Sequence, residues 1–173
     1  QSGVTFHDGT PFDAEAVKVN WERGKDPASR SSAFGILQSV AEMVVVDPTT
    51  LEIRLTAPNA VFDALVSKYN INYIASAQAI RDGQDLSNSP VGAGPFKFES
   101  WTRDDRMILV RNPDWYDAPR PYLDRLVVRI VPDEQQRLDT FLTGDGDAMY
   151  TAINTSVTQL EENDFLYTGM PVA

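Results

Sequence analysis

The residues that could do chemistry in this sequence begin with His7 and Asp8, which follow each other near the N-terminus. Such a pair could start a metal site or couple a base to a carboxylate. Catalytic metal ions usually take several nitrogen, sulfur or oxygen ligands, and this chain has one histidine and no cysteine. The composition therefore favours a structural role for His7 at a strand end beside a turn, and we expect no metal site.

Two glycine-containing motifs are similar to ligand loops but lack the residues that complete them. Asp145-Gly146-Asp147 matches the start of a calcium loop, yet the later ligands and the bidentate glutamate are absent. Gly92-Ala93-Gly94 is part of a dinucleotide fingerprint, but no third glycine follows, and the segment leads into a strand rather than a helix. We expect turns at both places and no cofactor.

Acidic side chains offer a possible hydrolytic chemistry. Two of the carboxylates of Asp104, Asp105, Asp145 and Asp147 could serve as acid and base in a glycosidase-like hydrolase. That reaction requires the two carboxyl groups to lie about 5–9.5 Å apart in one cleft. Adjacent residues on a hairpin turn point away from each other, which argues against Asp104 and Asp105 as the pair.

Aromatic side chains could stack on a ligand. Trp101, Trp115 and Tyr116 have flat faces that suit a sugar ring or a peptide side chain. Packing explains them better, because Trp101 can close a hairpin while Trp115 and Tyr116 fix the loop after it.

The overall composition narrows the function classes. Fifteen Lys and Arg against 25 Asp and Glu give a formal charge of −10, which argues against a nucleic-acid partner. Hydrophobic residues at 42% and charged residues at 23% indicate a folded globular protein. No run approaches the ~18–20 apolar residues of a membrane span. We expect any signal peptide or lipid anchor to lie outside these residues.

Local patterns predict the elements that must position these side chains. The spacing predicts a helix over 13–23, capped by Asp13 and ended by a left-handed Gly24. Other predicted elements, in chain order, are a strand at 4–6, a helix at 34–40, a hairpin of 43–46 and 51–55, a helix after Asn59, a strand at 71–74, a helix at 76–81, a hairpin of 96–101 and 107–111, a strand at 126–131, a helix from Asp133 to Gly144, a strand at 148–150, a helix at 155–163 and a final strand-like run at 165–167. The continuous apolar run at 126–131 predicts a strand inside a sheet. Its strand-helix-strand unit predicts a parallel pair.

Three motifs, in matching order and spacing, carry a family resemblance. They read GVTFHDGTPFDAEAV at 3–17, PVGAGPFKF at 90–98, and RNPDWY with PYLD at 111–124. Together they resemble the extracellular solute-binding proteins of peptide and nickel ABC importers, known as family 5. VPD at 131–133, Arg137 and TGDGD at 143–147 extend the resemblance over nearly the whole chain.

The resemblance implies an α/β fold with mixed sheets, as a fragment of a two-lobed protein like the periplasmic binding proteins. Residues 1–88 would form a small subdomain, and residues 89–173 would form part of lobe I. The implied function is not enzymatic: the intact protein captures a small solute between its lobes at the periplasmic or extracellular face and delivers it to an ABC permease. The solute could be an oligopeptide, a dipeptide, a nickel chelate or a sugar.

The resemblance also points to two segments that face the ligand in relatives, Arg30–Phe34 and Tyr69–Tyr73. We expect Phe34, Asn70, Asn72 and Tyr73 to contact the solute. The alternative for Phe34 and Tyr73 is that both belong to the core of the subdomain. Two other functions stay open: a ligand-sensing domain of a regulator with the same fold, and the acidic hydrolase. A signal peptide in the gene, with permease and ATPase genes beside it, would separate transport from both.

Overall fold

The structure is a computed structural model that describes residues 3–68, 70–163 and 165, and these fall into two compact units. Unit 1 lies within residues 1–101 and 107–127, and unit 2 lies within residues 102–106 and 128–173. Helices alternate with β-hairpins along the chain, which confirms the predicted α/β class.

The N-terminal residues of unit 1 form a tight loop. Thr5 and Pro11 form one antiparallel bridge, and the amide of Phe6 donates to the carbonyl of Thr10 at 2.8 Å. Gly9 has a φ of +84°, a backbone conformation that residues other than glycine rarely adopt. The predicted N-terminal strand is therefore reduced to a single bridge, because the chain reverses after only a few residues.

The first helix, α1 (Ala14–Lys25), begins at the predicted cap. The side chain of Asp13 accepts a hydrogen bond from the amide of Ala16 at 2.9 Å. The prediction that Gly24 ends this helix in a left-handed conformation is wrong, because Gly24 lies inside α1 and is buried. A Cβ at this position would approach Leu37 Cδ1 to 2.5 Å, so glycine is needed here for close packing.

The predicted hairpin follows a short helix, α2 (Phe34–Leu37). It consists of β1 (Val40–Asp47) and β2 (Thr50–Leu55), which pair in antiparallel orientation. The carboxylate of Asp47 accepts hydrogen bonds from the amide and the hydroxyl of Thr49 at 2.7 and 2.8 Å, which closes the turn. Local turn chemistry thus made this element predictable from sequence.

Two further helices of unit 1 are α3 (Phe62–Lys68) and α4 (Ala77–Arg81), as predicted. Between them the chain forms a 3-10 turn at Asn70–Asn72, so the predicted strand at 71–74 is wrong. Side chains from α1 bond the backbone of this segment instead of a neighbouring strand. The backbone groups of Ile71 and Ala75 that accept or donate these bonds therefore need no sheet partner.

The second sheet has the order β3-β4-β5, formed by β3 (Phe96–Thr102), β4 (Arg106–Arg111) and β5 (Arg125–Arg129). The prediction that β5 lies inside a sheet is wrong for the described residues, where it pairs with β4 alone. Val127 and Val128 are each 50% exposed. Apolar, β-branched residues favour a strand, but enclosing it requires a second neighbour that the described residues do not supply.

Unit 2 contains the helices α5 (Glu134–Leu142) and α6 (Asn154–Glu162), both predicted. The predicted strand at 148–150 does not form, so the expected parallel pair is wrong. The side chain of Arg137 donates a hydrogen bond to the backbone carbonyl of Tyr150 at 3.0 Å, where a neighbouring strand was expected. Leu138 and Leu160 form the buried interior of the unit. Of the strand-like run at 165–167, residues 166 and 167 lie outside the described residues.

Candidate functional site

The segment that carries three of the expected ligand contacts is fixed to α1 through its backbone. Trp21 Nε1 donates to the carbonyl oxygen of Ile71 at 3.2 Å. The Asn20 side chain bonds both polar groups of Ala75, accepting from its amide at 2.9 Å and donating to its carbonyl at 2.8 Å. The path of the chain from 70 to 75 is therefore set by two side chains of one helix.

The side chains of this segment divide between the core and the surface. Ile71 is 6% exposed and packs in the core, whereas Asn70 and Asn72 are exposed and Tyr73 is 81% exposed. The side-chain Nδ2 of Asn72 donates to the backbone carbonyl of Val66 at 2.6 Å, which holds this side chain in one place. Tyr73 is therefore a surface residue, and the alternative that it belongs to the subdomain core is wrong.

The other expected segment, 30–34, follows a 3-10 turn at Pro27–Ser29. Arg30 has a left-handed φ of 51°, and the Ser31 hydroxyl accepts a hydrogen bond from the amide of Ala33 at 3.2 Å. Ala33 is buried, and Phe34 is half-buried at the start of α2. Phe34 thus retains accessible surface.

One hydrophobic cluster supports both segments. Its buried members are Trp21, Ala33, Leu37, Val40, Met43 and Ile71. Ala33 precedes Phe34, and Ile71 lies between Asn70 and Asn72, so three of the four expected contacts are next in the chain to a residue of this cluster. Tyr69, the first residue of the second segment, lies outside the described residues.

Two shallow cavities of unit 1 are lined by none of the expected contacts. The first, of about 130 Å³, lies between Pro11, Glu15 and Arg81. The second, of about 170 Å³, lies between Phe12, Val17 and the β1–β2 turn. Pockets that enclose a small-molecule ligand usually reach about 300–1,000 Å³. These cavities are too small for a peptide.

His7 has a structural role in the described fold. Its Nε2 lies 3.0 Å from the carbonyl oxygen of Gly94, and its backbone amide donates to the carbonyl of Gly92 at 2.8 Å. Partial burial raises the pKa of the neighbouring Asp8, but hydrogen bonds from Ser76 and Thr10 outweigh that effect and hold the pKa below its ordinary value. Both residues therefore use their polar atoms within the fold.

The four acidic residues of the hydrolase alternative are all exposed. Asp104 occupies the hairpin turn with a φ of 59°, and Asp105 pairs with Arg106 at 2.8 Å. Asp145 and Asp147 lie in the turn after α5. Among the described residues, none of the four lines either cavity given above.

The aromatic residues singled out from the sequence lie apart from the 70–73 segment in the chain. Trp115 and Tyr116 pack against each other with ring centroids 5.1 Å apart, in the loop between β4 and β5. Trp101 lies near the end of β3, as expected for a residue that closes the hairpin.

Sequence reasoning did not find Asn20, whose side chain bonds Ala75. Its position gave one signal: Asn20 is a polar residue of α1 between Val19 and the buried Trp21. A partly buried amide in a helix usually bonds to backbone groups, and here it bonds a segment 55 residues away.

Among the described residues, none of the helices is long and apolar enough to cross a membrane.

In comparisons, the chain is 29% identical over 163 residues to the glutathione-binding protein GsiB of Escherichia coli (strain K12), covering 94% of this chain and 32% of that protein. The chain thus spans about a third of the length of this curated relative.

Solved structures share the fold. The periplasmic binding protein DppA from Helicobacter pylori, in complex with the peptide STSA, superposes with a TM-score of 0.76 at 29% identity, over 94% of this chain and 36% of that one. The nickel ABC transporter structure from Bacillus halodurans gives 0.79 at 29% identity, over 95% and 32%. The family profile described as "Bacterial extracellular solute-binding proteins, family 5 Middle" matches residues 1–169. This chain therefore belongs to the family 5 bacterial extracellular solute-binding proteins.

Proposed function

We propose that this chain is part of the substrate-binding component of an ABC importer, which captures a peptide or similar small solute between two lobes and delivers it to the membrane permease. The family match over residues 1–169 carries this proposal. The relatives support a solute of this size, since one is named for glutathione and another was solved with a peptide. The intact protein works at the periplasmic or extracellular face and carries out no catalysis.

Within this chain, the boundary between the small subdomain and lobe I of the intact protein lies at residue 88. Residues 1–88 form the small subdomain, and residues 89–173 form part of lobe I. This division concerns the longer, two-lobed protein and differs from the two compact units of the chain itself. The solute binds between the lobes, and closure hides it from water. The closed arrangement must bind the solute more tightly than the open one, because only a difference in affinity shifts the equilibrium.

Within this chain we assign solute contacts to Phe34, Asn70, Asn72 and Tyr73. The support is that Tyr73 is 81% exposed while the backbone of its segment is held by Trp21. An aromatic side chain on a fixed backbone loses little conformational entropy on binding. Amide side chains both donate and accept hydrogen bonds, which suits the peptide groups of a small peptide.

Native mass spectrometry of the protein expressed from its complete gene tests the function. We expect a peptide-sized solute to co-purify, and titration with that solute to show saturable binding. A protein that carries no solute and binds none of a panel of peptides, peptide conjugates and nickel chelates would contradict the proposal.

Titration of variants tests the contacts. Phe34→Ala and Asn72→Ala should each weaken solute binding about tenfold, equivalent to ~1.4 kcal/mol. Asn59→Ala is the matched control, because Asn59 also makes one local hydrogen bond with the backbone, at 3.1 Å to the amide of Val61. Unchanged affinity in both test variants would remove Phe34 and Asn72 from the site.

A further inference from the structure

Among the described residues, no strand lies beside the segment from Val91 to Pro95, which leads into β3, yet four of its five carbonyl groups accept hydrogen bonds. The Ser76 amide donates to Val91 O at 3.0 Å, and the His7 amide donates to Gly92 O at 2.8 Å. The amide of Asn112 donates to Pro95 O at 2.8 Å. Three residues from distant parts of unit 1 thus hold one short stretch of backbone.

The carbonyl of Gly94 is the centre of this arrangement. It lies 3.0 Å from His7 Nε2 and 3.0 Å from Asn112 Nδ2. A carbonyl oxygen accepts two hydrogen bonds and donates none, so His7 must carry its proton on Nε2. Asn112 is 4% exposed, which shields the junction from competing water.

Packing fixes the same segment from its other side. Val91 and Ala93 pack against a buried cluster of Phe6, Ala16 and Ala77. The glycines do not set the path of the chain, because neither Gly92 nor Gly94 has a positive φ. A glycine-rich, proline-flanked stretch that could serve as a flexible linker is therefore held by bonds and contacts.

We propose that His7 is a positioning residue whose imidazole locks residues 91–95 into a rigid joint, and that this joint holds the segment bearing Asn72 and Tyr73 in place. Ser76, three residues after Tyr73, provides the link. It is fully buried and caps α4, and its backbone amide donates to the carbonyl of Val91. The rigid joint follows from unit 1 alone, whereas its role for solute contacts rests on the proposed function.

Two isosteric variants test the imidazole bond. Glutamine carries its amide nitrogen as many bonds from Cα as histidine carries Nε2, whereas asparagine carries it at the position of Nδ1. His7→Gln should therefore keep the bond to Gly94, while His7→Asn and His7→Ala should lose it. The measurement is hydrogen–deuterium exchange of the amides of Ser76 and Asn112 in the 173-residue chain.

We expect wild-type exchange rates in His7→Gln and at least about tenfold faster exchange at both amides in His7→Asn and His7→Ala. The amide of Thr56, which donates to Ser39 O at 2.8 Å elsewhere in unit 1, is the internal control and should stay unchanged. Equal rates in the glutamine and asparagine variants would overturn the proposal.

The wild-type protein provides an independent test if a variant fails to fold. Nitrogen NMR of the neutral His7 ring should show the Nε2–H tautomer, with a proton that exchanges slowly with solvent. An Nδ1–H tautomer, or a rapidly exchanging Nε2 proton, would overturn the inference. Neither experiment uses a solute, so failure of the joint and failure of the proposed function are seen separately.

Discussion

The indole Nε1 of Trp21 donates a hydrogen bond to the carbonyl of Ile71, 50 residues further along the chain, at 3.2 Å. The same ring packs edge-on against Phe62, with centroids 6.5 Å apart. Trp21 is only 7% exposed, so both contacts are shielded from water. One side chain therefore joins α1 to the segment proposed to contact the solute.

Trp21→Phe should destabilise the protein, because it leaves the carbonyl of the buried Ile71 without this donor. We expect a loss of about 1–3 kcal/mol in the free energy of unfolding, measured by urea denaturation. Trp115→Phe, in a half-buried loop position, is the control and should change it by less than about 0.5 kcal/mol. Equal effects of the two substitutions would show that the Trp21 hydrogen bond contributes nothing.

Two glycines in neighbouring helices should respond oppositely to alanine. In Gly24→Ala the new Cβ would lie 2.5 Å from Cδ1 of Leu37, which is 1% exposed and packs in the core. Overpacking of this kind costs about 1–3 kcal/mol, which exceeds the gain of ~1 kcal/mol in helix propensity. We expect a lower thermal midpoint than in the wild type.

Gly35 is the matched case, since a Cβ there meets nothing within 4 Å and its φ is not positive. Gly35→Ala should stabilise the protein by about 0.5–1 kcal/mol through the unfolded chain. Thermal unfolding of both variants beside the wild type checks the pair. A stabilised Gly24→Ala variant would show that Leu37 can move aside.

Glu134 should make the stability of unit 2 depend on acid pH. Hydrogen bonds from Thr151 and Ser156, then the charge of Arg137, hold the pKa of Glu134 below its ordinary value. Because the pKa is lower in the folded state, the carboxylate stabilises the fold above the unfolded-state pKa. That contribution is lost as the pH falls through the lowered folded-state pKa.

The comparison of wild type with Glu134→Gln measures this contribution. Their thermal midpoints should differ most near neutral pH and converge as the pH falls below the ordinary glutamate range. As the pH falls, unit 2 should lose the helical signal of α5 and α6 before unit 1 unfolds. The reason is that Glu134 accepts a hydrogen bond at 2.7 Å from the hydroxyl of Ser156, near the start of α6. A difference that does not change with pH would contradict the assignment.

Tyr73→Ala should separate binding from stability. Because the side chain is 81% exposed, its removal should change the free energy of unfolding by less than about 0.5 kcal/mol. The affinity of the intact protein for its solute should nevertheless fall, by about tenfold. A large loss of stability would instead indicate that the Tyr73 side chain packs in the core.

The 173-residue chain alone should bind the solute weakly. It spans about a third of its curated relative, and the proposed cleft requires walls from two lobes. Isothermal titration with the solute identified by mass spectrometry should show affinity far below that of the intact protein. Micromolar binding by this chain would contradict a site shared between lobes.

Features whose causes lie within a few residues could be predicted from the sequence alone. The cap of α1 by Asp13, the cap of α5 by Asp133 and the turn at Asp47 all follow from side chains that bond the nearby backbone. The motif order along the chain likewise indicated the family. These parts could be read without knowing what lies across the fold.

Features that depend on partners distant in sequence became visible only in the folded chain. The 71–74 stretch has strand-like residues, but Trp21 bonds the backbone of Ile71 and Asn20 bonds that of Ala75 just after it, where a sheet would need a neighbouring strand. Gly24 is a packing residue because of Leu37, and His7 meets Gly94 87 residues away. Local patterns carry no information on such pairs, because the chain must fold before the atoms meet.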